Sequence, residues 1–172
     1  GYICVRVDSR GAGRSPGYIQ HFSPRETQDF YDCIEWAGVQ DWSNGKVGLT
    51  GISYYAMNQW QVASMQPPHL AALCSWEGAA DWYRDSTHHG GMLSTFWANW
   101  YGNQVETVQY GRGDKGAKSR ATGINVCADV TLDPAEMAKN RCDFGQELRD
   151  NALIDDEYYG PRLPQWNKIN VP

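Results

Sequence analysis

The sequence predicts an α/β fold: a parallel sheet flanked by helices, with a helical cap inserted into it. Short apolar runs at 2–7, 46–52 and 70–76, the first rich in β-branched residues, alternate with stretches of helical character at 24–38 and 54–65. That alternation implies βαβ units. After about Asp81 the pattern changes to an aromatic, glycine-interrupted stretch that reaches Trp166. The expected division is a sheet core over 1–81, a cap over 82–165 and a return to the core sheet over 166–172.

The elements follow in order. Tyr2–Val7 suits a buried parallel strand. Asp8–Gly17 is a glycine-rich loop in which Gly11, Ala12 and Gly13 begin like a dinucleotide-binding turn. The third glycine, Gly17, falls one place late and no helix opens there, so nucleotide binding is set aside. Asp8 and Arg10 are expected to form a polar pair beside the sheet. Ser23-Pro24-Arg25-Glu26 gives a helix start, with serine as N-cap and proline in the first turn. Phe30, Ile34 and Ala37, flanked by Tyr31 and Cys33, carry its apolar face to about Gly38. Trp42–Gly45 makes a turn, Lys46–Ile52 a strand, and Tyr54 to about Met65 a helix stopped by Pro67-Pro68. Leu70–Trp76 is the next strand. In the cap, Thr131–Glu136 opens a helix running towards Phe144, and Gly111–Lys118 reads as a solvated loop.

A length of 172 residues suits one domain. The net charge of −5 argues against a nucleic-acid partner, whose footprint would be basic. No apolar run approaches the ~20 residues of a membrane helix. The 8 tryptophans and 10 tyrosines should fill cores and line pockets for apolar ligands. Of the five cysteines, Cys4, Cys33 and Cys74 are expected in the core, and Cys127 and Cys142 could pair but are expected as free thiols. None forms a metal-type pair, so neither metal nor cofactor is expected. The chain opens close to one strand and stops on the approach to another, which reads as part of a longer protein. Its compartment stays open, with the cytoplasm favoured.

Chemistry concentrates at Gly48–Ala56, where an apolar strand runs into Gly51, then Ser53, then a helix. This is the layout of a nucleophile elbow, a strained strand-to-helix turn that exposes a serine hydroxyl. The helix start aims N–H groups at any negative charge forming there, and the Tyr54 N–H would be one oxyanion donor. Where such motifs carry a second glycine this chain has Tyr55, and the small residue comes one later, at Ala56. Asp81, His88 and His89 could complete a triad, but both histidines come too early in the chain for this fold and read as loop or pocket residues. Glu77 and Asp81 are candidate substrate contacts, or caps of the helix that follows. Trp82, Tyr83, Phe96, Trp97, Trp100 and Tyr101 should pack the cap, with some lining the pocket.

Together these segments resemble the cocaine esterase and X-Pro dipeptidyl-peptidase (CocE/NonD-like, S15-type) group of α/β-hydrolases. The resemblance runs through Gly1-Tyr2, Asp8-Ser9-Arg10-Gly11 with Ser15, Trp36, and Trp42-Ser43-Asn44-Gly45-Lys46-Val47-Gly48. It continues through Gly51-Ile52-Ser53-Tyr54, Gln59-Trp60-Gln61, Ala80-Asp81-Trp82-Tyr83-Arg84 and Gly90-Gly91. It implies part of an α/β-hydrolase fold and hydrolysis of an acyl ester, amide or short peptide through an acyl-enzyme on Ser53. A histidine would act as base and an aspartate would orient it, both beyond Pro172; a tyrosine hydroxyl upstream of Gly1 would be the second oxyanion donor. These residues alone would then be inactive. One aromatic pocket position of the family falls near Trp100 or Tyr101, and another near Thr87, which is not aromatic. The reading from a different class is a non-catalytic binding protein on the same scaffold.

Overall fold

The computed structural model describes residues 1–172. Helix α1 (Pro24–Gly38) precedes a βαβ unit made of strand β1 (Val47–Ile52), helix α2 (Tyr54–Ala63) and strand β2 (Leu70–Trp76). β1 and β2 pair in parallel. The register runs from Gly48 opposite Ala72 to Ile52 opposite Trp76, with one slip between Val47 and Gly48. α1 starts as its sequence dictates: the Glu26 N–H donates to Ser23 Oγ at 3.2 Å, and Pro24 occupies the first turn, where its missing N–H costs nothing.

The chain forms two compact units, one of residues 1–5, 22–92 and 151–172, the other of 6–21 and 93–150. In the first unit Ile34, Val62, Ala63 and Leu70 form the buried core. Phe30, Tyr31, Leu49, Leu73, Ile169 and Val171 pack around it. The chain end joins this core, as the Leu73 N–H donates to Pro172 O at 2.8 Å and the Gln165 N–H to Ser64 Oγ at 2.8 Å.

In the second unit the His21 ring lies against Trp100, Tyr101 and Phe144 at centroid distances of 5.4, 5.2 and 4.3 Å. The buried Tyr101 hydroxyl donates to Cys142 O at 2.8 Å. Helix α3 (Phe96–Trp100) carries Trp97 and Trp100 into this cluster. Helix α4 (Pro134–Lys139) is capped by Asp133, which accepts from the Glu136 N–H at 2.9 Å. It stops at Lys139, and helix α5 (Phe144–Asp150) is a separate element.

Several expectations need correction. Tyr2–Val7 is not a strand: it has no ladder partner, and Tyr2, Ile3, Val5 and Val7 are exposed. β-branched residues favour a pleated surface to pack on, and without a partner strand their propensity alone makes none. Cys4 and Cys74 are exposed and Cys33 half-buried, whereas Cys127 and Cys142 are buried free thiols. Gly111–Lys118 is not wholly solvated, since Gly111 and Gly113 are buried against Leu132 and Thr131.

Asp81 caps a single π-helical turn, Trp82–Thr87. Its Oδ1 accepts from the Tyr83 and Arg84 N–H groups at 2.9 Å each, and Oδ2 pairs with the Arg84 guanidinium. Partial burial pushes the carboxyl's pKa up, but the Arg84 N–H and guanidinium and the Tyr83 N–H outweigh it, leaving the pKa below the usual range. A group with a depressed folded pKa stabilises above its unfolded value and loses that contribution as pH falls through the folded one. Asp81→Asn should therefore melt below the wild type at neutral pH, and the gap should close in acid. Thermal midpoints of both proteins from neutral to acid pH check this.

A Cβ built on Gly38 runs into the ring and Cβ of His69, whose N–H and Nδ1 bond to Glu35 at 3.0 and 2.7 Å. Overpacking costs about 1–3 kcal/mol, more than the ~1 kcal/mol that alanine returns over glycine within a helix. Gly38→Ala should lower the urea midpoint while leaving m unchanged.

Candidate active site

Ser53 sits between the last residue of β1 and the first of α2, with φ 57° and ψ −114°. A serine rarely adopts that left-handed backbone, and such strain clusters at functional sites. Three hydrogen bonds hold it. The Ser53 N–H donates to Trp76 O at 2.9 Å, one step beyond the Ile52–Trp76 pair, and Ser53 O accepts from the Ala56 and Met57 N–H groups at 2.9 Å each. The residue is exposed. Gly51 allows the bend, because a Cβ there would strike the Tyr55 Cβ and stand 2.9 Å from Tyr55 O.

The departure from the usual pattern also resolves locally. Tyr55 is 67% exposed, so its bulk meets little. Ala56 is wholly buried, and a Cβ on Gly78 would lie 3.2 Å from its own Cβ and 2.9 Å from the Trp60 ring. The small side chain stands where another backbone comes close.

Tyr54 opens α2, and the first-turn N–H groups of a helix find no acceptor within the helix itself. Its ring is anchored. The hydroxyl donates to both Glu26 carboxylate oxygens at 2.6 Å, and the ring centroid lies 4.2 Å from that of Phe22. Burial, with the Glu26 charge next, holds its pKa well above the usual phenol value, so the phenol keeps its proton. Glu26 also accepts from the Phe22 N–H at 2.6 Å. Sequence reading placed Glu26 in a helix cap; the bond to Tyr54, 28 residues away, had no local signal.

The other candidates fall in different places. Glu77 follows Trp76 as Ser53 follows Ile52, so both lie at the carboxyl edge of the parallel pair, where ligands of open α/β sheets bind. It is exposed, with φ 49°. Asp81 is engaged by its cap and Arg84 and so is not placed as a free substrate contact. Trp100 and Tyr101 belong to the aromatic cluster of the second unit. His88 is buried, stacks on Tyr83 at 4.6 Å, and shares Nδ1 contacts with Thr87 Oγ1 at 3.0 Å and the Tyr159 hydroxyl at 3.3 Å. The exposed His89 holds Asp85 O through Nε2 at 2.8 Å. The Glu35–His69 pair has the chemistry of a base and its orienting acid, but His69 precedes β2 at its amino end. The seven residues of β2 put it about 20 Å from the edge that carries Ser53.

No cluster of three or more histidine, cysteine or acidic side chains is arranged to hold a metal, and no helix is long and apolar enough to cross a membrane.

Over 96 residues the chain is 35% identical to the cocaine esterase of Rhodococcus sp. (strain MB1 Bresler), a match covering 55% of this chain and 16% of that protein. A crystal structure of a CocE/NonD family hydrolase from Staphylococcus aureus superposes with a TM-score of 0.71 at 34% identity, over 95% of this chain and 25% of that one. The chain thus spans a quarter or less of these relatives, and its fold is that of an α/β-hydrolase core. A model of the X-Pro dipeptidyl-peptidase (S15) family matches residues 1–171, and the chain belongs to that family of hydrolases.

Proposed function

We propose that this chain carries the nucleophile of a serine hydrolase that cleaves acyl esters through an acyl-enzyme on Ser53. What supports this reading is the exposed Ser53, held at φ 57° between a parallel strand and a helix start. In the proposed step Ser53 Oγ attacks the acyl carbon and its proton passes to a histidine base. The Tyr54 N–H receives the oxyanion, and the returning proton leaves with the alcohol. Water then takes the serine's place and frees the acid. His69 lies at the far edge of the sheet and the rings of His88 and His89 are engaged; the base and its acid are taken to follow Pro172, as the family resemblance implies. Residues 1–172 expressed alone should then lose roughly 10⁶ in rate.

Esters are favoured over peptides with a free amino terminus, because recognising that amine calls for a carboxylate pair. Of the candidates, Asp81 is occupied by Arg84 and its helix cap, which leaves Glu77 alone at the edge. Two measurements on the full-length protein check this. A fluorophosphonate should label the wild type and not Ser53→Ala; labelling that persists in the variant refutes the nucleophile. kcat/KM should be greater for a p-nitrophenyl acyl ester than for Gly-Pro p-nitroanilide, and the reverse order would mark a dipeptidyl-peptidase.

A further inference from the structure

The Glu26 carboxylate lies where two strained turns meet. Its Oε2 accepts from the Phe22 N–H, and Phe22 has a left-handed backbone of φ 54°. Both of its oxygens accept from the hydroxyl of Tyr54, the residue directly after the left-handed Ser53. The Phe22 ring packs on the Tyr54 ring at 4.2 Å and on the Trp82 ring at 4.3 Å, and Phe22 is 1% exposed. The Tyr54 side chain is thus fixed at its tip by a charge-assisted bond and along its face by an aromatic contact. Its own backbone N–H lies at the root of that side chain.

Resting on the proposed role of Ser53, we infer that Glu26 is a positioning residue for the oxyanion site: through the Tyr54 phenol it sets the direction of the Tyr54 N–H. The reasoning is geometric. An oxyanion donor acts only when it points at the developing charge, and a misplacement near 1 Å can cost about 100-fold. Residues at a helix start fray readily, since their N–H groups lack helical partners. Within residues 22–92, the bond from Glu26 ties that start to α1 across 28 positions of sequence. A glutamate serving only the N-cap of α1 would need its bond to the chain before the helix and no phenol.

The test uses the full-length protein, with a p-nitrophenyl ester as substrate, fluorophosphonate titration to count active sites, and phenylboronic acid as a tetrahedral probe. Glu26→Ala should lower kcat per titrated site by about 10–100-fold, with KM changed little and boronate affinity reduced by a similar factor. Tyr54→Phe, which keeps the ring and its packing, should reproduce the loss. The two changes together should be no worse than either alone, because they break one link. Glu26→Gln retains an acceptor for both partners and should restore most of kcat. If the variants melt earlier but keep wild-type kcat per titrated site, Glu26 only holds the fold and the inference is overturned. Should Glu26→Ala fail to fold, Tyr54→Phe decides by itself, and an unchanged kcat overturns the inference. Labelling of Ser53→Ala would instead sink the nucleophile, leaving the two failures distinguishable.

Discussion

The left-handed backbone of Ser53 is the constraint around which the first unit is organised. Such a conformation costs about 1–3 kcal/mol in a residue with a Cβ, and it persists because neighbouring bonds leave no alternative. The Ser53 N–H continues the parallel ladder to Trp76 O, while its carbonyl already serves the first turn of α2. The same residue therefore ends a strand and begins a helix with no spare residue between. Three backbone hydrogen bonds of roughly 0.5–1.5 kcal/mol each are of the right size to offset the strain. The ladder supplies one of them, so the bend depends on the β1–β2 register from Gly48 to Ile52.

Helix α2 is unusual for a surface helix because no broad polar face turns outward. Ala56, Met57, Gln59, Gln61, Val62 and Ala63 are all buried, including two glutamines. Buried amides need partners. Gln59 bonds Tyr55 O and Ser75 Oγ, and the Gln61 amide donates to Arg162 O at 2.8 Å. The helix is thereby pinned to its own first turn, to β2 and to the segment after 150. The serine carried at its start inherits that rigidity, which is what the reaction proposed for it, sensitive to fractions of an ångström, needs.

The βαβ core was legible because its signals are local. Ser23 with Pro24 and Glu26 marks a helix start whatever surrounds it, and Pro67-Pro68 ends the helix before it. The serine between Gly51 and a helix announces the elbow in the same way. Tyr2–Val7 misled because strand propensity expresses a need for a partner, and a partner is not written in the run itself. Cys74 misled for the converse reason: it lies in an apolar strand, but on a face that nothing covers. Asp81 was legible as either a cap or a contact, and the cap is the role that the backbone bonds and the Arg84 pair display. The bond from Tyr54 to Glu26 escaped, because the hydroxyl is brought to the carboxylate by the packing of α1 against α2, a tertiary event with no trace in spacing.

The shift of the small residue from position 55 to 56 shows what an elbow motif expresses. A glycine is called for wherever two backbones must approach closely; its distance from the serine depends on which part of the helix the approaching chain reaches. Here that chain is the segment after β2, where Gly78 comes against Ala56 and Trp60. Position 55 faces away from that approach and carries an exposed tyrosine without conflict. Gly51, by contrast, cannot move: the turn itself folds the start of α2 back over it, bringing Tyr55 against the site of any Cβ. One glycine of the pattern is thus set by the bend and the other by the neighbour, and only the first must keep its distance from the serine.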